Sequence, residues 1–322
     1  MHNCLYIVVP CYNEQDVLLD TATRLRKKLL SLIGAQKVSD NSKIVFVNDG
    51  SADSTWNLIC HLYEQDKIFL GIDLSRNRGH QNALLAGLMT AKEYADVVIS
   101  IDADLQDDID TMDEMLDKYY AGCDIVYGVR NSRRSDSLFK RASAVGYYRL
   151  MSLIGVEMIF NHADYRLMSR RAIEALSQFK EVNLFLRGIV PMIGYKSDKV
   201  YYERTKRLAG KSKYSVCKML SLAFQGITSL SIKPIRMITV LGVAIFLLSI
   251  VMLVYILIRF FGGYTVTGWS SLIVSLWAIG GLVMLSIGIV GEYIGKIYLE
   301  TKGRPKFIIK EFLKDREEND GE

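Results

Sequence analysis

The chain has 322 residues, 50% hydrophobic and 23% charged, with a formal net charge of +5, enough for one large domain or two small ones. The positive balance is local: Lys199 to Arg236 carries nine Lys and Arg against Glu203 alone, while Asp102 to Asp117 and the end after Lys314 are acidic. Cys4, Cys11, Cys60, Cys123 and Cys217 are odd in number and form no CxxC pair, which argues against a disulfide framework and a zinc site and suits a reducing compartment.

The opening Met1-His2-Asn3-Cys4 lacks the positive start of a secretory signal, so the first ~230 residues are expected on the cytoplasmic side. Residues 5–9 form a short, β-branched apolar run stopped by Pro10, the pattern of a buried strand. Asn13 is placed to cap a helix with an apolar face of Val17, Leu18, Leu25, Leu29 and Leu32. Residues 44–47 read as a strand and 54–63 as a helix, and the alternation continues through 68–74, 79–92, 97–101, 109–120 and 125–128. Apolar strands alternating with amphipathic helices predict an α/β fold with a mostly parallel sheet covered on both faces.

Past the last of these strands, Arg130, Arg133, Arg134, Lys140, Arg141 and Arg149 crowd one segment. It reads as a solvated basic face, a nucleic-acid patch or a phosphate clamp. Further on, Val216, Met219, Leu220, Ala223, Phe224, Ile227 and Leu230 recur at helical spacing after Lys211 and Lys213, with Lys218 among them. That pattern suits an interfacial helix on an anionic leaflet, or a core helix of the preceding domain.

Residues 237–258 carry no charge over 22 positions, against the roughly 20 that a helix needs to cross hydrocarbon. After Arg259 a second uncharged run reaches Gly291, so the pair reads as a transmembrane hairpin. Lys233 and Arg236 precede it, Lys296, Lys302, Arg304 and Lys306 follow it, and Arg259 alone lies between, which puts both ends on the cytoplasmic side. Gly291-Glu292-Tyr293-Ile294-Gly295 is a GxxxG that suggests helix packing and a homo-oligomer, a tetramer among the forms considered. The predicted organisation is therefore a cytoplasmic domain (1–210), an interfacial helix (211–234), two transmembrane helices (235–295) and a cytoplasmic tail (296–322).

In open α/β sheets, ligands bind beyond the carboxyl ends of the strands. Cys11-Tyr12-Asn13-Glu14, Asn48-Asp49-Gly50-Ser51 and Asp102-Ala103-Asp104 all fall there. No GxGxxG occurs, and Gly210-Lys211-Ser212 lacks the first glycine of a phosphate loop, Thr205 standing in its place. Asp102 and Asp104, two apart on an extended segment, are read as facing the same way. Two carboxylates at the end of a buried strand are costly without a cation, and hard oxygen donors suit Mg²⁺ or Mn²⁺ shared with substrate phosphates. The plain alternative is a solvated loop. Asp108-Ile109-Asp110 repeats the spacing but reads as a helix start, where acids suit the dipole. A membrane-anchored domain with an acidic pocket is not expected to bind nucleic acid.

Val8-Val9-Pro10-Cys11-Tyr12-Asn13-Glu14, Val47-Asn48-Asp49-Gly50-Ser51 and Asp102-Ala103-Asp104-Leu105-Gln106-Asp107 resemble the ordered motifs of family 2 glycosyltransferases, which have a GT-A fold. Arg76-Asn77-Arg78-Gly79-His80-Gln81, Ala163-Asp164-Tyr165-Arg166-Leu167-Met168, Gly210-Lys211-Ser212-Lys213-Tyr214 and the hairpin narrow the resemblance to the polyprenyl-phosphate group, which includes bactoprenol glucosyltransferase and dolichol-phosphate mannose synthase. The resemblance implies that Pro10, Tyr12, Glu14, Asp49, Asp102 and Gln81 hold a nucleotide sugar. It makes Asp104 the first ligand of Mg²⁺ or Mn²⁺, with Asp102 supporting and Gln106 as a third. Arg130, Arg141, Arg166 and Arg207 are the candidates for the acceptor phosphate. Asp164 is a candidate catalytic residue, to orient the acceptor or take a proton, with an ion pair to Arg166 as the alternative. His61 and His162 are read as structural, and His80 is left open. Two departures stand out: the family more often has Gly where Ala163 stands, and Glu where Lys211 stands.

The implied activity is inverting transfer of one hexose, glucose from UDP-glucose foremost, to undecaprenyl or another polyprenyl phosphate at the cytoplasmic membrane face. The product is a lipid-linked sugar for modifying cell-surface glycans. UDP-N-acetylglucosamine, UDP-galactose and GDP-mannose are alternative donors. A phosphate acceptor with a second pKa of about 6 is already anionic near neutral pH and needs no general base. A processive polysaccharide synthase would need a Gln-x-x-Arg-Trp motif that the chain lacks. A non-catalytic scaffold fits poorly with intact Asp49, Asp102 and Asp104.

Overall fold

A computed structural model describes residues 2–131, 162–181, 185–203, 233–262 and 268–314. Arg141, Arg207, the remaining basic positions from 133 to 149 and all but the last two residues of the interfacial helix expected at 211–234 lie outside the described residues.

The described residues form two compact units, one built from 2–203 and 305–314, the other from 233–304. The first holds an eight-stranded sheet in the order β7-β5-β6-β4-β1-β2-β3-β8. Its strands are β1 (Leu5–Cys11), β2 (Lys43–Asn48), β3 (Phe69–Leu74), β4 (Val97–Ser100), β5 (Ile125–Arg130), β6 (His162–Ser169), β7 (Ser197–Tyr202) and β8 (Ile309–Leu313). Between them run α1 (Leu18–Gly34), α2 (Thr55–Gln65), α3 (His80–Ala91), α4 (Met112–Tyr120), α5 (Arg170–Ser177) and α6 (Leu186–Met192). The β1–β2, β1–β4, β2–β3 and β5–β7 pairings are parallel, and β3–β8, β4–β6 and β5–β6 are antiparallel.

Strand alternation splits the core in two. Leu5, Ile7, Val9 and Phe46 face the side covered by Leu25 and Leu29 of α1 and Met115 of α4. Tyr6, Val8, Val45 and Val47 face Leu84 and Leu88 of α3 and Ile173 of α5. Sheets buried on both faces need near-continuous apolar strands, which is why β1 to β4 are so legible in the sequence. Gly87 lets α3 lie directly on the sheet: a Cβ there would stand 2.4 Å from Cγ1 of Val8 and 2.8 Å from Cγ2 of Val47.

Three local expectations are corrected. Strand β1 runs through Pro10, in register with Val47, to Cys11. Ile101 N–H donates to the Val8 carbonyl at 3.1 Å, so even-numbered residues of β1 face β4, and that ladder ends at Val8 and Ser100. The N–H that proline lacks is therefore not needed there. Asn13 does not cap α1; its φ is 52° and its Oδ1 accepts from Ala52 N–H at 2.9 Å. Third, the segment expected to be a plain tail supplies strand β8 at the β3 edge. Its charged positions, Lys310 and Glu311, mask the short run from periodicity and suit an edge strand.

The second unit contains α7 (Lys233–Phe261) and α8 (Trp269–Thr301). At a rise of about 1.5 Å per residue each exceeds the ~30 Å of a hydrocarbon layer. Among the described residues, Ala278–Thr301 is long and apolar enough to cross a membrane, and the apolar stretch Ile238–Met252 of α7 is shorter. Leu247, Val251, Leu276, Met284 and Ile287 are exposed.

Candidate active site

The C-terminal ends of β1, β2, β3 and β4 and the start of β6 are tied together by hydrogen bonds. Asp49 N–H donates to the Cys11 carbonyl at 2.9 Å, Asn13 N–H to Ser51 Oγ at 3.0 Å, and Glu14 N–H to Thr55 Oγ1 at 3.0 Å. Tyr12 is exposed beside them. Asn48 donates from Nδ2 to Asp73 Oδ1 at 2.7 Å and accepts Ser51 N–H at 3.2 Å. Asp49 is buried, and its two oxygens accept the N–H groups of Arg78 (2.7 Å) and Gly79 (2.9 Å) just before α3. Burial pushes its carboxyl up, and those two N–H bonds oppose the shift. This approach of two loops depends on Gly50, whose φ is +61° and whose Cβ would lie 2.5 Å from Asn77 N.

The acidic segment after β4 is not extended. Leu105 has a φ of 43°, and its N–H reaches back to the Asp102 carbonyl at 3.3 Å, closing a turn. Strand β4 stops at Ser100, so pleat alternation no longer sets where Asp102 and Asp104 face. Thr21 of α1 donates from Oγ1 to the Ala103 carbonyl at 2.6 Å and pins the turn from below. Asp104 Oδ1 accepts Gln106 N–H at 3.3 Å, while the Gln106 side chain is buried. Asp108 does start the next helical segment, accepting Asp110 N–H at 2.9 Å.

Antiparallel pairing of β6 with β4 sets Arg166 opposite Ser100 and carries Asp164 to the same edge. Ser100 Oγ donates to the Asp164 carbonyl at 2.5 Å. The buried Asp164 carboxylate accepts from Arg166 Nη2 at 2.7 Å and from Arg187 Nη2 at 3.1 Å and Nε at 3.3 Å. His80, the first residue of α3, bridges the two acidic groups, with Nε2 3.4 Å from Asp102 Oδ1 and 3.6 Å from Asp164 Oδ2. Burial alone would lower the imidazole pKa, but Asp164 and Asp102 override it and raise it to about 9, so His80 is a cation at neutral pH. Burial would likewise raise Asp164, and Arg187, His80 and Arg166 together hold it well below the usual carboxylate range. A carboxylate so stabilised is a weak base; its geometry suits holding three cations in place.

Asp107 is buried behind the turn. Its Oδ1 accepts from Tyr202 Oη at 2.6 Å and Arg130 Nη2 at 3.1 Å, so Arg130 reaches the site already paired. Arg166, read as an acceptor-phosphate residue, is 1% exposed and paired with Asp164. Gln81 accepts Leu186 N–H through Oε1 at 3.1 Å and so fastens α6. Arg187 escaped sequence reasoning, although a lone cation in Phe185-Leu186-Arg187-Gly188-Ile189-Val190 is itself a signal, since a charge in an apolar run needs a partner.

Asp102 and Asp104 fit a divalent cation through the charge around them. Burial raises the Asp102 carboxyl above its ordinary range, His80 opposes that shift, and the like charges of Asp164, Asp107 and Asp104 add to it. Among the described residues no three His, Cys, Asp or Glu side chains form a ready cage. Mg²⁺ and Mn²⁺ accept two carboxylates when diphosphate oxygens and water complete the shell.

A profile of the family described as glycosyl transferase family 2 matches residues 6–177. The chain is 53% identical to the uncharacterized glycosyltransferase YkoT of Bacillus subtilis over 95% of its length and 90% of that protein. It is 38% identical to the bactoprenol glucosyl transferase of Shigella phage SfX, covering 94% of this chain and 98% of that one. Among solved structures, mannosyl-3-phosphoglycerate synthase from Rubrobacter xylanophilus shares 14% identity with a TM-score of 0.46, over 70% of this chain and 72% of that one.

Proposed function

The chain belongs to glycosyltransferase family 2, and on that premise we propose that it moves one glucose from UDP-glucose to undecaprenyl phosphate, with inversion, at the cytoplasmic face of a membrane. The observation that carries the proposal is the convergence of Asp49, the Asp102–Asp104 turn and the Asp164–Arg187–His80 cluster at one sheet edge. The bactoprenol glucosyl transferases among its relatives support the lipid acceptor and the sugar.

In this reading Pro10, Tyr12, Glu14 and Asp49 border the nucleotide. Asp102 and Asp104 would hold Mg²⁺ or Mn²⁺, which when bound would supply positive charge to offset that of the departing diphosphate. The acceptor needs no deprotonation, because a phosphate monoester is already largely anionic at neutral pH. The chain's work is therefore alignment. Arg187, grasping Asp164 through two nitrogens with 38% of its side chain exposed, and cationic His80 supply positive charge where the acceptor phosphate meets the sugar. Arg130, Arg141 and Arg207 are the proposed contacts of the lipid phosphate.

The two long apolar helices anchor the enzyme with both ends cytoplasmic, flanked by the domain at 1–210, the interfacial segment at 211–234 and the tail from 296. The GxxxG at Gly291 and Gly295 is the contact through which copies associate. The test is purified full-length protein with Mn²⁺, undecaprenyl phosphate and a panel of labelled UDP-glucose, UDP-N-acetylglucosamine, UDP-galactose and GDP-mannose. Label should enter the organic phase from UDP-glucose. Organic-phase label from another donor alone would replace the sugar, and water-soluble product alone would overturn the lipid acceptor.

A further inference from the structure

We propose that Lys310, on the strand that follows the long apolar helices in the chain, is a positioning residue for the nucleotide-binding loops. The inference rests on the functional reading above, in which the Tyr12–Glu14 and Asn48–Ser51 segments hold the nucleotide.

Strand β8 pairs with β3 so that Asp73 stands opposite Glu311 and Leu74 opposite Ile309, and Ser75 N–H donates to the Ile308 carbonyl at 2.9 Å. Phe312 packs its ring 6.2 Å from Tyr94, Lys314 lies over the same Tyr94 ring, and Lys306 donates to the Phe179 carbonyl at 2.9 Å. Between these anchors Lys310 Nζ meets Asp73 Oδ2 at 3.0 Å. A lysine on an edge strand commonly serves only to discourage pairing with other chains. Here its partner is a carboxylate that is 4% exposed and stands at the head of a relay. Asp73 Oδ1 accepts from Asn48, Asn48 Oδ1 accepts from Ser51 N–H, and Ser51 Oγ accepts from Asn13 N–H. Four hydrogen bonds thus run from the end of the chain to both loops, with Asp49 directly beside Asn48 in the middle.

Without Lys310, the buried Asp73 carboxylate keeps the Asn48 amide and draws that amide toward itself or toward water. The relay then loosens at Asn48, next to Asp49, while the strand remains paired through its backbone. The substitution should act on nucleotide affinity and leave the turnover of bound substrate alone.

The experiment compares the full-length protein with Lys310→Met and Lys310→Arg in three readouts: calorimetric binding of UDP and of GDP with Mn²⁺, transfer kinetics, and hydrogen exchange of peptides covering 11–15 and 48–54. Lys310→Met should weaken nucleotide binding and raise the donor KM about fivefold, change kcat by less than twofold and speed exchange in both peptides. Lys310→Arg should restore all three. Unchanged binding and exchange in Lys310→Met, or a loss of kcat with KM constant, overturns the positioning role while leaving the functional reading intact. A wild-type chain that binds neither nucleotide overturns both.

Discussion

Replacing Gly50 by alanine tests how tightly the site depends on two loops touching. The residue has a φ of +61°, and an added Cβ would lie 2.5 Å from Asn77 N and 2.6 Å from Arg76 C, both backbone atoms. The left-handed conformation costs an L-residue roughly 1–2 kcal/mol, and forcing a methyl against backbone adds about 1–3 kcal/mol. The sum, about 2–5 kcal/mol, corresponds to a fall in Tm of roughly 5–20 °C for a domain of this size. Relief of the clash separates the Asn48–Ser51 loop from the Arg76–Gly79 loop, breaking the bonds from Arg78 and Gly79 to Asp49. Nucleotide protection against unfolding should therefore shrink as well. Gly34→Ala is the control, because nothing lies within 4 Å of its Cβ position. Thermal unfolding of both variants in detergent, with and without UDP and Mn²⁺, checks the argument. A Gly50→Ala protein melting within 2 °C of wild type, like the expected Gly34→Ala, refutes it.

Asp164→Asn leaves Arg166 buried beside a neutral amide, and chemical denaturation should show a loss of about 3–5 kcal/mol. Arg187→Lys keeps the charge and abandons the two-nitrogen grip on Asp164, so transfer kinetics should show a slower rate with Tm nearly unchanged. Away from the site, Arg171 and Ser169 hold the Asp124 carboxyl below its ordinary range against the pull of burial. A depressed folded value contributes stability that is complete above the unfolded pKa of about 3.9 and is lost as pH falls. The stability gap between wild type and Asp124→Asn, measured by denaturant titration, should be constant from pH 5 to 7 and close below pH 4.

Much of this architecture is written in local pattern. Strands β1 to β5 are apolar because both sheet faces are covered, α1, α2 and α4 carry apolar stripes and α3 is apolar on most sides, so the elements emerge nearly in place. The polar clusters at strand ends follow from the same reading, since topology alone sends Tyr12, Asp49 and Asp102 to one edge. Long-range pairing is where the pattern falls silent. Nothing local to Asp164 announces that β6 runs antiparallel beside β4, and nothing local to Lys310 announces a strand returning to β3. Asp102 and Asp104 were expected on an extended face, and the turn enforced by Leu105 at a φ of 43° breaks that geometry while keeping both near the edge. Asn13 shows the same limit, because a good capping residue is also one that tolerates the left-handed region, and here the second property prevails.

The central claim is that the Asp102–Asp104 turn supports metal-dependent transfer of glucose to a lipid phosphate. Its most direct test is the initial rate of organic-phase label from UDP-glucose and undecaprenyl phosphate, for wild type and Asp104→Asn at matched Mn²⁺ and after chelation. The account predicts a fall of at least about 100-fold in the variant, equivalent to about 2.7 kcal/mol of transition-state stabilisation, and a comparable loss when the wild type is chelated. A variant within threefold of wild type, or a chelated wild type at full rate, contradicts it.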